Sequence, residues 1–298
     1  MDLNEISFDE YQQEAKKYIK WNKDDSLMVP LLGLAGETGQ LLTEYKKWLR
    51  DGNRYTPFLD QVSEELGDLL WYISALATAS KLSLADIANE NLAKIRDRWG
   101  KEEHPRLLGP MGFDDAFPQE ERLPLNPTIV FRKGVFDGIP KVSITVDGET
   151  CGDPLTDNAH CDDGYRFHDV FHFAYAMVLG WSPLVRKLLH RKRKSVAKID
   201  EVEDGARAVF LEEGISAMIF EFAKDYGFFR DATTIDFELL KTIRVMTRGL
   251  EVRNVAMSDW QKAILVGYNA WRPLVQHGEG ILQGDRSTQS LCFRPLAS

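Results

Sequence analysis

Through most of the first hundred residues, apolar side chains return every three to four positions, the period of helices with one buried face. Phe8, Tyr11, Ala15 and Tyr18/Ile19 make the first such stripe, and Ser7 with Glu10 three residues on is a capping pair for its start. A second helix is expected from about Leu31 to Leu49, closed by the turn signal Asp51-Gly52-Asn53. A third follows Pro57, is apolar through LLWYISALATA and stops near Lys81-Leu82. Ser83 then caps a fourth, LADIANENLAKIRDRW, which ends at Gly100. Four helices joined by short links predict an antiparallel bundle.

The pattern changes from Lys101 to Asp163. Pro105, Pro110, Pro118, Pro124, Pro127, Pro140 and Pro154 exclude a long helix there. Within the stretch, TIVFRKGVF and KVSITVDG are rich in β-branched residues and flank Asp137-Gly138-Ile139-Pro140, which reads as a small hairpin. Helical patterning resumes at Tyr165 and runs almost to the end, with helices expected near 165–180, 183–192, 201–226, 235–247 and 258–274. The expected fold class is therefore all-α. A helical bundle fills residues 1–100, a proline-rich connector with a β-hairpin fills 101–163, and a second, mainly helical region fills 164–298.

Composition narrows the function. The 298 residues carry 37 basic against 46 acidic side chains, a net charge of −9. That argues against a protein that coats nucleic acid, because such binding needs a positive surface. Cys151, Cys161 and Cys292 are too few and too scattered for a disulfide framework. The acidic start MDLNEISFDEYQQEA has no signal pattern, and FHFAYAMVLGW falls far short of the roughly 20 apolar residues of a membrane span. A cytoplasmic protein without a membrane partner is expected.

Candidate chemistry sits in the first hundred residues. Glu37, Gln40 and Glu44 fall on one face of the second helix, within about 60° of each other. Glu64, Glu65 and Asp68 cluster on the third, and both faces interrupt leucine-rich surroundings. Carboxylates that close to a core need a cation, and neither cluster contains a lysine or arginine. Oxygen-only ligation suits Mg²⁺, or Mn²⁺, rather than zinc. On the fourth helix Asn91, Lys94 and Arg98 form a polar and basic stripe suited to a polyphosphate, and Trp71, Tyr72 and Trp99 are candidate surfaces for a base. The competing reading of these charges is ordinary surface pairing, Glu90 with Lys94 and Glu44 with Lys47.

GLAGETGQLLTEYKK, VSEELGDLLWYISALA and NLAKIRDRW together resemble the MazG-like nucleotide pyrophosphohydrolases of the all-α NTP pyrophosphatase superfamily, over roughly residues 28–99. The resemblance puts Glu37, Glu65 and Asp68 at positions of that family's Glu-x-x-Glu…Glu-x-x-Asp metal pattern, and Lys94 and Arg98 at its phosphate-contacting positions. It implies Mg²⁺-dependent cleavage of a nucleoside triphosphate into monophosphate and pyrophosphate, in a homodimer or higher homo-oligomer. Gln40 departs from the pattern, since an amide brings no charge and is no base. Either Glu44 or Glu64 replaces the missing carboxylate, or fewer metals bind, or the chain senses nucleotide without hydrolysing it efficiently.

The second half offers one further constellation. His168, Asp169 and His172 share one expected helix, and Glu212 and Glu213 lie on a later one, a set able to ligate a transition metal. The alternative is a polar strip where two helices cross. Arg186, Lys187, Arg191, Lys192, Arg193, Lys194 and Lys198 form a basic run without an acid among them, read as a solvated loop facing an acidic surface.

Overall fold

Ser7 starts α1 (Phe8–Lys16) with a complete capping box, its side chain and that of Glu10 each bonding the other's backbone amide. In the computed structural model, residues 6–22, 25–99, 112–136 and 138–296 are described, apart from the side chains of Arg98 and Trp99. The chain divides into two units, Met1–Arg96 and Asp97–Ser298.

In the first unit α2 (Met28–Asp51) begins a turn earlier than its apolar stripe suggests, because Pro30 is tolerated where the backbone amides lack helical partners. α2 ends at Gly52, which has φ of 60°. It packs along α3 (Phe58–Ala79), and α1 lies against α3 as well. Gly33 sets the helix separation: a Cβ there would fall 2.3 Å from the Tyr72 ring. The buried amide of Gln12 ties α1 to the end of α3, donating to Thr78 Oγ1 and the Leu82 carbonyl. It also accepts the Leu84 amide at the start of α4 (Leu84–Trp99), where Ser83 serves as cap. Beyond Leu84 no described residue of α4 is buried. The expected stop at Gly100 lies outside the described residues.

The second unit corrects the all-α expectation, because it holds a five-stranded antiparallel sheet. β1 (Thr128–Phe136) and β2 (Ile139–Val146) form the expected hairpin, paired from Ile129↔Val146 to Phe136↔Ile139. Asp137 of its turn lies outside the described residues. The short β3 (Glu149–Thr150) extends one edge. On the other side of β1 the chain's end returns as β4 (Gly280–Asp285) and β5 (Ser290–Arg294), giving the order β3-β2-β1-β4-β5.

Helices cover this sheet. Every residue of α5 (Asp169–Val178) is buried, as a helix apolar on all sides requires. α6 (Pro183–Leu188) follows, and the single helix expected over 201–226 is two, α7 (Ala197–Val202) and α8 (Ala206–Asp225). Gly205 separates them with extended backbone, and a Cβ there would strike the Glu201 carbonyl oxygen at 1.9 Å. α9 (Phe237–Thr247) and α10 (Met257–His277) complete the layer. α10 crosses α5 closely at Gly267, whose position admits Phe171 and Ala174.

The basic run is solvated only in part, at the exposed Lys187, Lys194 and Lys198. Arg186 and Arg193 are each 1% exposed. Arg186 pairs with Asp114 and donates to the Glu121 carbonyl, while Arg193 pairs with Asp204 and Glu251. Lys192 and Lys198 pair with Asp200 and Glu201. Among the described residues no helix is long and apolar enough to cross a membrane.

Candidate active site

Glu37 lies mid-helix on α2, and Glu65 and Asp68 lie one turn apart on the facing side of α3. One carboxylate oxygen from each falls within 4.8 Å of the others. The close approach at Gly33 and Tyr72 brackets the cluster, since Gly33 is one turn before Glu37 and Tyr72 one turn after Asp68. No described lysine or arginine forms an ion pair with any of the three.

Three unpaired carboxylates in one place raise each other's affinity for a cation. Glu65, 8% exposed, has its pKa raised above the ordinary carboxylate value by burial, then by Glu37, Glu64 and Asp68. Tyr11 of α1 faces the same charge, its phenol raised by burial and by Asp68. The donor set is oxygen only and its negative charge is uncompensated, which fits a hard divalent ion such as Mg²⁺ or Mn²⁺.

The remaining sequence candidates divide. Gln40 Nε2 donates to Glu37 Oε2 at 2.6 Å and so holds that carboxylate in place. Glu64 stands beside the trio and accepts from Gln61 at 3.2 Å. Glu44 is committed elsewhere: it is buried, accepts from Lys47 at 2.6 Å and from the Tyr55 hydroxyl, and its pKa is lowered by those bonds. Asn91 and Lys94 are exposed, and Lys94 pairs neither with the trio nor with Glu90. The Arg98 and Trp99 side chains lie outside the described residues. Trp71 and Tyr72 are engaged with each other, and Trp71 also packs edge-on against Trp21.

In the second unit His168, Asp169 and His172 are also brought together, with Glu212 and Glu213 from α8 beside them. Burial opposes a charged imidazole at His172, yet Glu212 and Glu213 push its pKa up to about 10, which marks a strongly cation-attracting pocket. Sequence reasoning passed over Tyr11 and Tyr165. Tyr11 was read only as part of an apolar stripe, and Tyr165 acts through its carbonyl, which no side-chain pattern reports.

A helical unit that presents three converging carboxylates, followed by a mixed α and β unit, matches known families in both parts. The description "MazG nucleotide pyrophosphohydrolase domain" covers residues 29–101, and "MazG C-terminal domain" covers residues 109–297. The second match spans more than half of the chain, and the chain belongs to the MazG-like family. It is 34% identical over 76 residues to the Gene 37 protein of Mycobacterium phage L5, a match covering 25% of this chain and 67% of that protein. No solved structure matches. The family points to hydrolysis of phosphoric anhydride bonds in nucleotides.

Proposed function

We propose that the first unit hydrolyses nucleoside or deoxynucleoside triphosphates between the α and β phosphates, with Mg²⁺ or Mn²⁺ held by Glu37, Glu65 and Asp68. The products are the monophosphate and pyrophosphate. The observation that carries this reading is the convergence of three carboxylates within 4.8 Å with no cationic side chain paired to them. Mg²⁺ held there would supply positive charge to phosphate oxygens and lower the pKa of a coordinated water.

The chain's own residues do the positioning. Gln40 fixes Glu37 through its 2.6 Å bond, and Glu64 adds negative charge at the rim. Asn91, Lys94 and Arg98 grip the phosphates. The exposure of Asn91 and Lys94 supports a homodimer or larger homo-oligomer in which α4 reaches its substrate position on assembly. Leu31, Leu32, Leu42, Tyr45, Leu49 and Leu66 on α2 and α3 are exposed too, an apolar surface that a second copy would cover.

The test is pyrophosphate release from a panel of NTPs and dNTPs with Mg²⁺, comparing wild type with Asp68→Asn. Losing a metal-holding carboxylate removes roughly 3 kcal/mol of transition-state stabilisation, so turnover falls by at least about 10²-fold. Turnover retained in Asp68→Asn rejects the assignment. Nucleotide binding without release in the wild type marks a sensing module instead.

A further inference from the structure

Where the start of α5 meets α8, a group of side chains stands that the proposed hydrolysis does not use. His168 and His172 are one turn apart, so their rings share a side of the helix. Hydrogen bonds fix both rings. His168 Nδ1 lies 2.8 Å from the Tyr165 carbonyl oxygen, which can only accept, so Nδ1 carries the hydrogen and Nε2 is left bare. The Tyr165 ring stacks on this imidazole at 4.3 Å. His172 Nδ1 lies 2.9 Å from Glu212 Oε1. Glu212 is itself held as an acceptor by Ser182 Oγ at 2.6 Å and the Leu184 amide at 2.8 Å. When a metal ion takes the place of the proton on Nε2, His172 donates through Nδ1 and presents Nε2 as a ligand.

The free ends converge. His168 Nε2 is 3.4 Å from Asp169 Oδ1 and 3.9 Å from Glu213 Oε2, and His172 Nε2 is 3.5 Å from Glu213 Oε2. Hydrogen-bonded pairs lie at about 2.7–3.2 Å. Ligands of a tetrahedral ion with bonds of about 2.0–2.1 Å lie about 3.3–3.4 Å apart. The spacing is thus closer to that of a ligand set than to that of a hydrogen-bonded strip. His172 is 0% exposed, and its Nε2 makes no hydrogen bond among the described residues. A buried nitrogen aimed at carboxylates beyond hydrogen-bond length is a costly arrangement unless a proton or a metal ion stands between them, and the wide spacing favours the larger ion.

We propose that His168, Asp169 and His172, whose ligand atoms lie within 4.8 Å of one another, bind a first-row transition-metal ion of the zinc class, with Glu213 swinging in from beside the imidazoles as the fourth ligand and the rings oriented by the Tyr165 carbonyl and by Glu212. Two imidazoles select such an ion over Mg²⁺ or Ca²⁺. The carboxylates behind and beside the rings are the outer partners that usually fix metal-binding histidines. Three of the ligands are buried, and Glu213, with its side chain 39% exposed, is the one open to solvent and to exchange.

The test uses the full chain, stripped with chelator, reloaded with Zn²⁺ or Co²⁺ and freed of excess ion by gel filtration. Wild type retains one tightly bound Zn²⁺ per chain by elemental analysis, and the Co²⁺ form shows the intense visible bands of four-coordinate geometry. Glu213→Gln alters a partly exposed side chain and leaves the core intact. It weakens Zn²⁺ binding by at least about 10–100-fold, and His168→Ala does the same. Asp68→Asn keeps the ion while losing pyrophosphate release, which separates this site from the hydrolytic one. Zinc absent from wild type, or retention and Co²⁺ bands unchanged in both Glu213→Gln and His168→Ala, overturns the proposal.

Discussion

Ile129, Phe131, Val170, Ala174, Ile215, Val252 and Leu282 are sealed in one continuous core in the second unit, whereas the buried apolar side chains of the first unit are Ala15, Pro30, Ala75, Ala77 and Leu84 among the described residues. The first unit instead leaves Leu31, Leu32, Leu42, Tyr45, Leu49, Leu59 and Leu66 in solvent. Charge follows the opposite course. The second unit pairs its buried ions internally, Arg186 with Asp114 and Arg193 with Asp204 and Glu251. The first gathers Glu37, Glu65 and Asp68 without a cation. Outside the His168–His172 pocket the second unit pairs its buried charges within itself, whereas the first presents an apolar face and an acidic cluster together. The proposed second copy, metal and polyphosphate would each answer one of these two features.

Breaking the self-contained unit should have the largest effect. Arg193→Met leaves buried Asp204 with Arg186 alone at 3.6 Å and half-buried Glu251 without its cation, and should cost about 3 kcal/mol in urea unfolding of the second unit. A loss near zero would mean that water reaches the network and that the contrast is weaker than drawn.

The next effect tests the open surface. Leu42 is 63% exposed, so Leu42→Asp should leave the isolated chain's stability within about 0.5 kcal/mol. If Leu42 is covered on assembly, losing about 1.5–3 kcal/mol of leucine burial on each copy weakens self-association by 10²-fold or more. Sedimentation over a concentration series reads this directly, and an unchanged association constant places Leu42 outside the interface.

A smaller effect concerns the cluster. Gln40→Glu exchanges a donor to Glu37 for a fourth carboxylate, worth about 1 kcal/mol of attraction for a dication near the surface. The Mg²⁺ concentration for half-maximal turnover should fall about five-fold; a rise would show that fixing Glu37 matters more than added charge.

The smallest effect is read without metal. Because the Glu65 pKa is raised in the folded state, its contribution to stability is present below the ordinary carboxylate value and is lost as pH rises through the raised one. With chelator present, Glu65→Gln should therefore gain in melting temperature relative to wild type as pH climbs from about 4.5 toward neutrality. A pH-independent difference would show that Glu65 is not strained by its neighbours.

Much of the first unit was legible because its signals are local. Ser7 and Glu10, Ser83, Gly52 and the spacing of Glu65 and Asp68 act within one or two turns, and the structure uses each as its neighbourhood suggests. The Glu44–Lys47 pair was one of two readings the spacing left open, and the Tyr55 hydroxyl, which adds to that commitment, carries no local signal. The strand β4 was missed because glycines occupy positions where an alternating strand would show large apolar residues, and the five-residue β5, with Leu291 its one buried side chain, shows no alternation either. A Cβ at Gly280 would meet the Phe293 ring at 2.3 Å, and one at Gly284 would meet Met177 at 2.8 Å, so packing removed the pattern that reveals a strand. The basic run misled for a related reason. No acid lies within it; Asp200, Glu201 and Asp204 stand just beyond its end, and Asp114 and Glu251 arrive only through the tertiary fold.

The central claim is that Glu37, Glu65 and Asp68 direct water onto the α-phosphorus of a triphosphate. Turnover in water enriched in oxygen-18, with products resolved by mass spectrometry, tests it most directly. The account predicts label in the nucleoside monophosphate, unlabelled pyrophosphate, and loss of both products in Asp68→Asn. Label in pyrophosphate, release of orthophosphate, or turnover that survives Asp68→Asn would contradict it.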